Sequence, residues 1–225
     1  MSKTSVNNSR NAGALASYSQ RLSAEFGRAG QLGSRIKNAF VFYARAIGGN
    51  HLVARLVSPL IKLIRSDIRH AAGERSADYG DMHHLEGFEF NEIHQPPGLS
   101  DVPCSLLRSA KNDQVLVKTA PFTADAFLTG QVVRATHFKV GLLVAAIPLG
   151  MQGCNRLFKN VADSRVIACK AIPSLQVLVD LAISETPILY CVALWVSFFR
   201  FAGSLSVPYM EGKKDLLRIV KAFCA

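Results

Sequence analysis

Arginine is the residue with the most chemistry to offer in this chain. Arg21, Arg28 and Arg35 are spaced seven apart, which puts them on nearly one side of a helix, and Arg45, Arg55, Arg65, Arg69 and Arg75 continue the supply downstream. Such a stripe can neutralise phosphates on DNA or RNA, and binding of that kind falls steeply with salt. It can equally pair with an acidic surface of a neighbouring subunit, or stand in solvent. No helix-turn-helix, RRM or zinc-finger pattern favours the nucleic acid. Arg21, Arg28, Arg35, Arg45 and Arg55 are therefore the candidate contacts to a polyanion or a protein partner.

A second group, His70, Asp81, His83, His84, Glu86, Glu89, Glu92 and His94, has the side-chain types a divalent metal accepts. A metal-dependent enzyme would use the His83, His84 and Glu86 region. The spacing argues against it, because adjacent histidines on a strand face opposite ways and no H-E-x-x-H pattern occurs. A polar linker between two parts of the chain accounts for the group better. Nucleophile and phosphate loops are also missing: there is no G-x-S-x-G, no P-loop and no strand-led G-x-G-x-x-G. Gly27, Gly30 and Gly33 read instead as a helix-packing contact or a hinge. His137 opens a strand, where a lone histidine is ordinary structure, and Trp195 belongs to an apolar core run. Five cysteines, Cys104, Cys154, Cys169, Cys191 and Cys224, form no C-x-x-C pair, which speaks against a disulfide scaffold and a zinc site. Cys169 and Cys191 lie in apolar runs and read as buried free thiols. The expectation is a protein that is not an enzyme, with no cofactor, metal or small-molecule substrate.

The elements that carry these residues divide the chain by charge. Residues 1–75 hold 12 of the 26 Lys and Arg against three acids, so nine of the ten net positive charges lie there. Such asymmetry speaks of partners and not of fold. With 49% apolar and 19% charged residues in 225, the chain has material for a real core. Residues 1–13 read as a flexible polar tail. From Leu15 to Ile47 apolar residues recur at threes and fours, interrupted at Gly27, Gly30 and Gly33, which predicts two helices meeting there. Leu52 to Ile64 resumes the helical period. Ser58-Pro59 reads as a fresh start, so helices are predicted over about 51–57 and 59–72. A turn-rich stretch follows over Gly73–Asp81.

From His83 the apolar period becomes two: Phe88/Phe90, Val115/Val117, Phe138 to Val144, Leu175 to Ile183 and Ile188 to Phe198. The last of these is apolar in both registers, which predicts a strand buried on both faces at the centre of the core. A hairpin at Arg200–Ser204 and a closing strand at Leu216–Phe223 complete the pattern. No uncharged stretch reaches the roughly 20 residues of a membrane-spanning helix. The polar opening carries no secretory signal pattern, so the expected location is cytoplasmic.

Certain phrases also carry a resemblance. Arg10-Asn11-Ala12-Gly13, the stretch from Ser66-Asp67-Ile68-Arg69 through Gly73-Glu74-Arg75 to Leu85-Glu86-Gly87-Phe88-Glu89-Phe90-Asn91, and Ala135-Thr136-His137-Phe138 resemble an uncharacterised family of Bacteroidota proteins. Ile188–Phe199, Tyr209 and Leu216–Val220 are similar to that family's closing strands. The resemblance implies a helical N-terminal part joined to a β domain, and it transfers no functional site.

These readings converge on an α+β chain: a basic helical arm at 1–80 with its flexible tail, then an antiparallel β-sandwich-like domain at 81–225. The leading functional expectation is a non-enzymatic assembly or interaction protein, a homo-oligomer or one bound to a protein partner, whose arm docks on a subunit or polyanion. The alternatives are a nucleic-acid-binding protein acting through the N-terminal arginines, and the metal-dependent enzyme of the His83, His84 and Glu86 region.

Overall fold

A computed structural model of the chain describes residues 5–45, 47, 51–92, 102–108, 113–123, 137–150, 155–164, 171–172, 174–181, 186–202, 205–208 and 215–225. Among them the helical elements are α1 (Ser5–Ala39), the single turn α2 (Val41–Ala44), α3 (Leu52–Arg65) and two 3-10 turns, η1 (Ala77–Tyr79) and η2 (Met82–Leu85). The strands are β1 (Cys104–Arg108), β2 (Gln114–Thr119), β3 (Phe122–Thr123), β4 (His137–Pro148), β5 (Arg156–Ser164), β6 (Ala171–Ile172), β7 (Gln176–Asp180), β8 (Ile188–Ala202), β9 (Leu205–Pro208) and β10 (Leu216–Cys224). The protein is α+β, and its two larger sheets are antiparallel.

The doubly apolar run of β8 fixes the architecture. One edge of β8 pairs with β4 from Phe199 opposite His137 to Ile188 opposite Pro148, and β4 continues to β5. Its other edge takes β9 and β10 end to end. The even residues of β8, Tyr190 to Phe198, join Phe138, Val140 and Leu142 of β4 in a core closed by Val115, Val117, Val177 and Val179. These four valines are the inner face of the sheet β1-β2-β7, where inward Val alternates with outward Gln114, Leu116, Lys118, Gln176, Leu178 and Asp180. This pair of facing sheets is the expected sandwich.

The odd residues of β8, Leu189, Cys191 and Ala193, face the opposite way with Leu143, Ala145, Leu217 and Ile219. They are covered by Ala29, Leu32 and Ile36 of α1 and by Leu56, Leu60, Leu63 and Ile64 of α3. The basic helical segment expected as an arm thus forms, from Ala29 onward, a third layer on the sandwich. A strand apolar in both registers needs a cover on each side, and these helices supply the second one.

Local predictions differ from the structure at four places. α1 begins at Ser5, inside the expected tail. It also runs unbroken through the three glycines. Gly27 and Gly30 stand in open space, whereas a Cβ on Gly33 would lie 3.4 Å from both Leu56 and Leu60, so this glycine sits where α1 crosses α3. Packing of Ala29, Leu32 and Ile36 outweighs a propensity loss of about 1 kcal/mol per glycine. Likewise Pro59 lies inside α3 and does not start a helix. An interior proline costs ~3 kcal/mol, but the buried residues on both sides of it hold the helix through. Finally, α3 stops at Arg65 and not at residue 72. The buried Asp67 carboxylate accepts from the amides of Arg69 at 2.8 Å and Ser76 at 3.0 Å and from His70 Nδ1 at 2.7 Å, which turns the chain away from helix. Burial works against ionisation there, yet those three donors hold Asp67 down to about 2.

Candidate functional site

The predicted arginine stripe is mostly turned inward. Arg28 Nη2 donates to the Gly73 carbonyl at 2.6 Å, and Arg35 Nη1 donates to the carbonyls of Pro148, at 2.6 Å, and of Gly150. Arg55 donates from Nη1 to Phe90 O at 3.1 Å and from Nη2 to Glu89 O at 2.6 Å, with its guanidinium over the Phe88 ring. Loop carbonyls outside a ladder need donors, and a guanidinium on a long stem can reach them. Arg65 lies 3.5 Å from Glu25 and Arg69 stacks over Tyr79. Arg21 and Arg45 are exposed. The structure therefore brings Arg28 and Arg35 together around one cavity and does not bring Arg21, Arg45 and Arg55 to it.

The candidate metal residues have other work. His83 and His84 lie in the 3-10 turn η2, started by the Asp81 carboxylate accepting from the His83 amide at 3.0 Å, and not on a strand. Glu86 Oε2 is 3.0 Å from His83 Nδ1, and its Oε1 is 3.1 Å from Lys221 Nζ and accepts from the Ala222 amide. Among the described residues no three His, Cys, Asp or Glu are grouped as a metal needs. Cys104, Cys191 and Cys224 are free thiols; burial pushes Cys191 up to about 12. Cys154, Cys169 and His94 lie outside the described residues. Trp195 is half-buried, edge-on to Tyr43 at 4.9 Å.

Sequence reasoning missed a buried polar network. Residues 87–90 run alongside β10: Gly87 N–H donates to Ile219 O, Ile219 N–H to Phe88 O and Phe90 N–H to Leu217 O. Gly87, at φ +81°, supplies the left-handed bend that starts this run. Phe90 packs edge-on between Phe40 and Phe88. Glu89 points inward, with Oε2 3.1 Å from Arg218 Nε and Oε1 accepting from the amides of Asn91 and Leu217. Asn91 Nδ2 donates to the Asp215 carbonyl at 2.8 Å. The Asp215 carboxylate accepts from Ser197 Oγ at 2.6 Å and from the Phe198 amide at 3.2 Å. Burial pushes Glu89 up to about 7 against Arg218 and the two amides, and pushes Asp215 up to about 6 against Ser197 and Phe198. The signal available in sequence was an acid at the centre of the Phe88-Glu89-Phe90 alternation and a second acid opening the last strand. The network ties the 87–91 segment to β8 and β10.

A further candidate surface is the outer face of β1-β2-β7. Register places Leu107 opposite Leu116 and Leu116 opposite Leu178, one apolar row across three strands. Leu107 is 56% exposed and Leu178 55%. On one side of the row lie Ser105, Lys118 and Gln176, and on the other Gln114 and Asp180, whose carboxylate accepts from Gln114 Nε2 at 2.6 Å. Two exposed leucines aligned with a third by register are more than the scattered apolar residue any surface carries.

No protein-family model, curated protein or solved structure matches this chain. Among the described residues no helix is long and apolar enough to cross a membrane.

Proposed function

We propose that this chain is a non-enzymatic assembly protein that pairs with a second copy of itself through the outer face of its three-stranded sheet. The observation that carries this reading is the Leu107, Leu116 and Leu178 row. The flanks of that row fit self-association. A two-fold axis lying along the row superposes leucine on leucine and turns the Lys118 end of one copy onto the Gln114–Asp180 end of the other, opposite charge to opposite charge. Isologous contacts need such self-complementary patches. The arginines favour this reading over a nucleic-acid surface, because Arg28, Arg35 and Arg55 already hold carbonyls of their own chain.

Size sets the strength. Five residues at about 3.4 Å along each strand and three strands at about 4.8 Å make a face of roughly 17 by 14 Å. A standard interface covers about 800 Å² per partner, so pairing through this face is weak and concentration-dependent. Sedimentation equilibrium on the full chain from micromolar to high micromolar concentration tests it. A monomer–dimer equilibrium is expected, and Leu116→Lys, which places a charge at the centre of the row, abolishes the dimer while leaving the circular dichroism spectrum unchanged. A wild-type monomer throughout, or a dimer indifferent to Leu116→Lys, removes the proposal.

A further inference from the structure

Arg28, Gln31 and Arg35 stand at positions i, i+3 and i+7 of α1, one helical face spanning roughly 10 Å along the axis. They line a partly open cavity of about 80 Å³ whose other walls include Ser76, Ile64 and Leu149. One ordered water needs only ~10–15 Å³ on this measure, so the space suits a group of several heavy atoms. Both guanidinium groups are held in place at their outer nitrogens, Arg28 on Gly73 O and Arg35 on Pro148 O and Gly150 O. Fixed donors lose little entropy when a ligand arrives.

One remaining donor lacks an acceptor. Arg28 Nε is shielded from solvent and has no hydrogen-bond partner. Among the described residues neither Arg28 nor Arg35 has an ion-pair partner. Glu25 Oε1 accepts from the Gly73 amide and its Oε2 lies 3.5 Å from Arg65, while Asp67 accepts from Ser76, Arg69 and His70. A shielded N–H without an acceptor costs ~1–3 kcal/mol, and two anchored cations facing one cavity repel each other. An anion between them answers both costs.

We infer that this cavity binds a phosphate-class oxyanion. A planar carboxylate satisfies one guanidinium fork, whereas two guanidinium groups approaching from opposite ends of a helical face match the diverging oxygens of a tetrahedral anion. Gln31 and Ser76 also line the cavity and carry neutral donors. The site is separate from the leucine row, so it stands or falls independently of dimer formation.

The test is titration calorimetry of the full chain with sodium phosphate, against sodium chloride at matched ionic strength, together with a thermal-unfolding series in the same salts. Saturable binding and a phosphate-specific rise in Tm are expected. Gln31 is exposed, so Gln31→Glu keeps the fold and both arginine anchors while placing a carboxylate at the cavity; it weakens phosphate binding at least tenfold with the Tm in chloride unchanged or raised. Arg35→Gln weakens binding similarly. A parallel titration with glycerol phosphate assigns the source: tighter binding than inorganic phosphate means a phosphate ester, weaker binding means the free ion, and either result upholds the site. Absence of saturable binding of both probes, or equal binding by wild type and Gln31→Glu, overturns it.

Discussion

Asp215→Asn tests the buried network at its least ambiguous point. The Asp215 carboxylate is shielded and faces a hydroxyl, Ser197, and an amide, Phe198, with no cation paired to it among the described residues. Burial raises it from 3.8 to about 6, so the folded chain holds this proton more tightly than the unfolded chain does. Between those values the unfolded state has released the proton and the folded state has not. Folding stability therefore falls as pH rises from about 4 to about 6 and is flat in this group above that. At ~1.36 kcal/mol per pKa unit, the loss from Asp215 is roughly 3 kcal/mol.

Asparagine keeps the shape and the hydrogen bonds. Its Oδ1 accepts the Phe198 amide, and its Nδ2 donates to Ser197 Oγ, which turns its own proton away. Nothing at the position then ionises. Guanidinium unfolding followed by Trp195 fluorescence, at pH values from 4 to 8, is expected to give the variant a flatter profile than wild type. The two should differ least at pH 4, with Asp215→Asn more stable above pH 6 by up to about 3 kcal/mol. Glu89, raised to about 7, contributes a fall of the same sign between about 4.5 and 7, common to both proteins and cancelled in the difference. Asp67 has the opposite sign, because its carboxylate is held down to about 2, but its stability is lost only as pH falls from about 4 to about 2. Parallel profiles for the two proteins, or a variant less stable than wild type at pH 7, would refute the reasoning.

Four further outcomes follow from named positions. Arg55→Met leaves the Phe90 and Glu89 carbonyls without their donor and should destabilise by about 2–4 kcal/mol in chemical denaturation; a change under 1 kcal/mol would mean that water replaces the guanidinium without loss. Gly27→Ala, in open space on α1, should raise stability by about 0.5–1 kcal/mol. Gly80→Ala, whose Cβ would clash with the Leu63 carbonyl oxygen, should give little folded protein, and a soluble, wild-type-like Gly80→Ala product would contradict the packing of η1 against α3. Cys191, fully buried in β8 with its thiol raised to about 12, should resist maleimide in the native state and label only in denaturant, read by peptide mass spectrometry.

The sheet was legible because period two survives any context. Residues 188–199 are apolar in both registers, and only a strand covered on both faces tolerates that. The centre of the core follows from those residues alone, and the α+β class from them together with the helical period of residues 15–64. What covers the second face was not legible, since the helical pattern of residues 15–64 shows an apolar stripe without showing what it meets. The glycines and Pro59 were misread for a related reason. Propensity is local, about 1 kcal/mol for a glycine and ~3 for an interior proline, and it loses to long-range burial such as that of Leu56, Leu60 and Leu63 against the sheet. Glu89 and Asp215 were invisible as a network because their donors, from Ser197 to Arg218, come from distant parts of the chain.

The arginines show most clearly where counting charge stops and geometry begins. Nine of ten net positive charges in the first third describe a field, and a field attracts polyanions only to the extent that its sources are free to meet them. Arg28, Arg35 and Arg55 each carry full charge while their donors are directed at Gly73, Pro148, Gly150, Phe90 and Glu89. Reversing them to glutamate would therefore break loop contacts first, and lost polyanion binding in such variants would be indistinguishable from lost fold. Arg21 and Arg45 are exposed, so Arg21→Glu and Arg45→Glu are the variants that isolate the field. If a nucleic acid bound the chain and released on that double reversal with the denaturation midpoint unchanged, the surface charge would be functional. Retained binding would move attention to the Arg28–Arg35 cavity, where the donors are few, fixed and shaped for one anion.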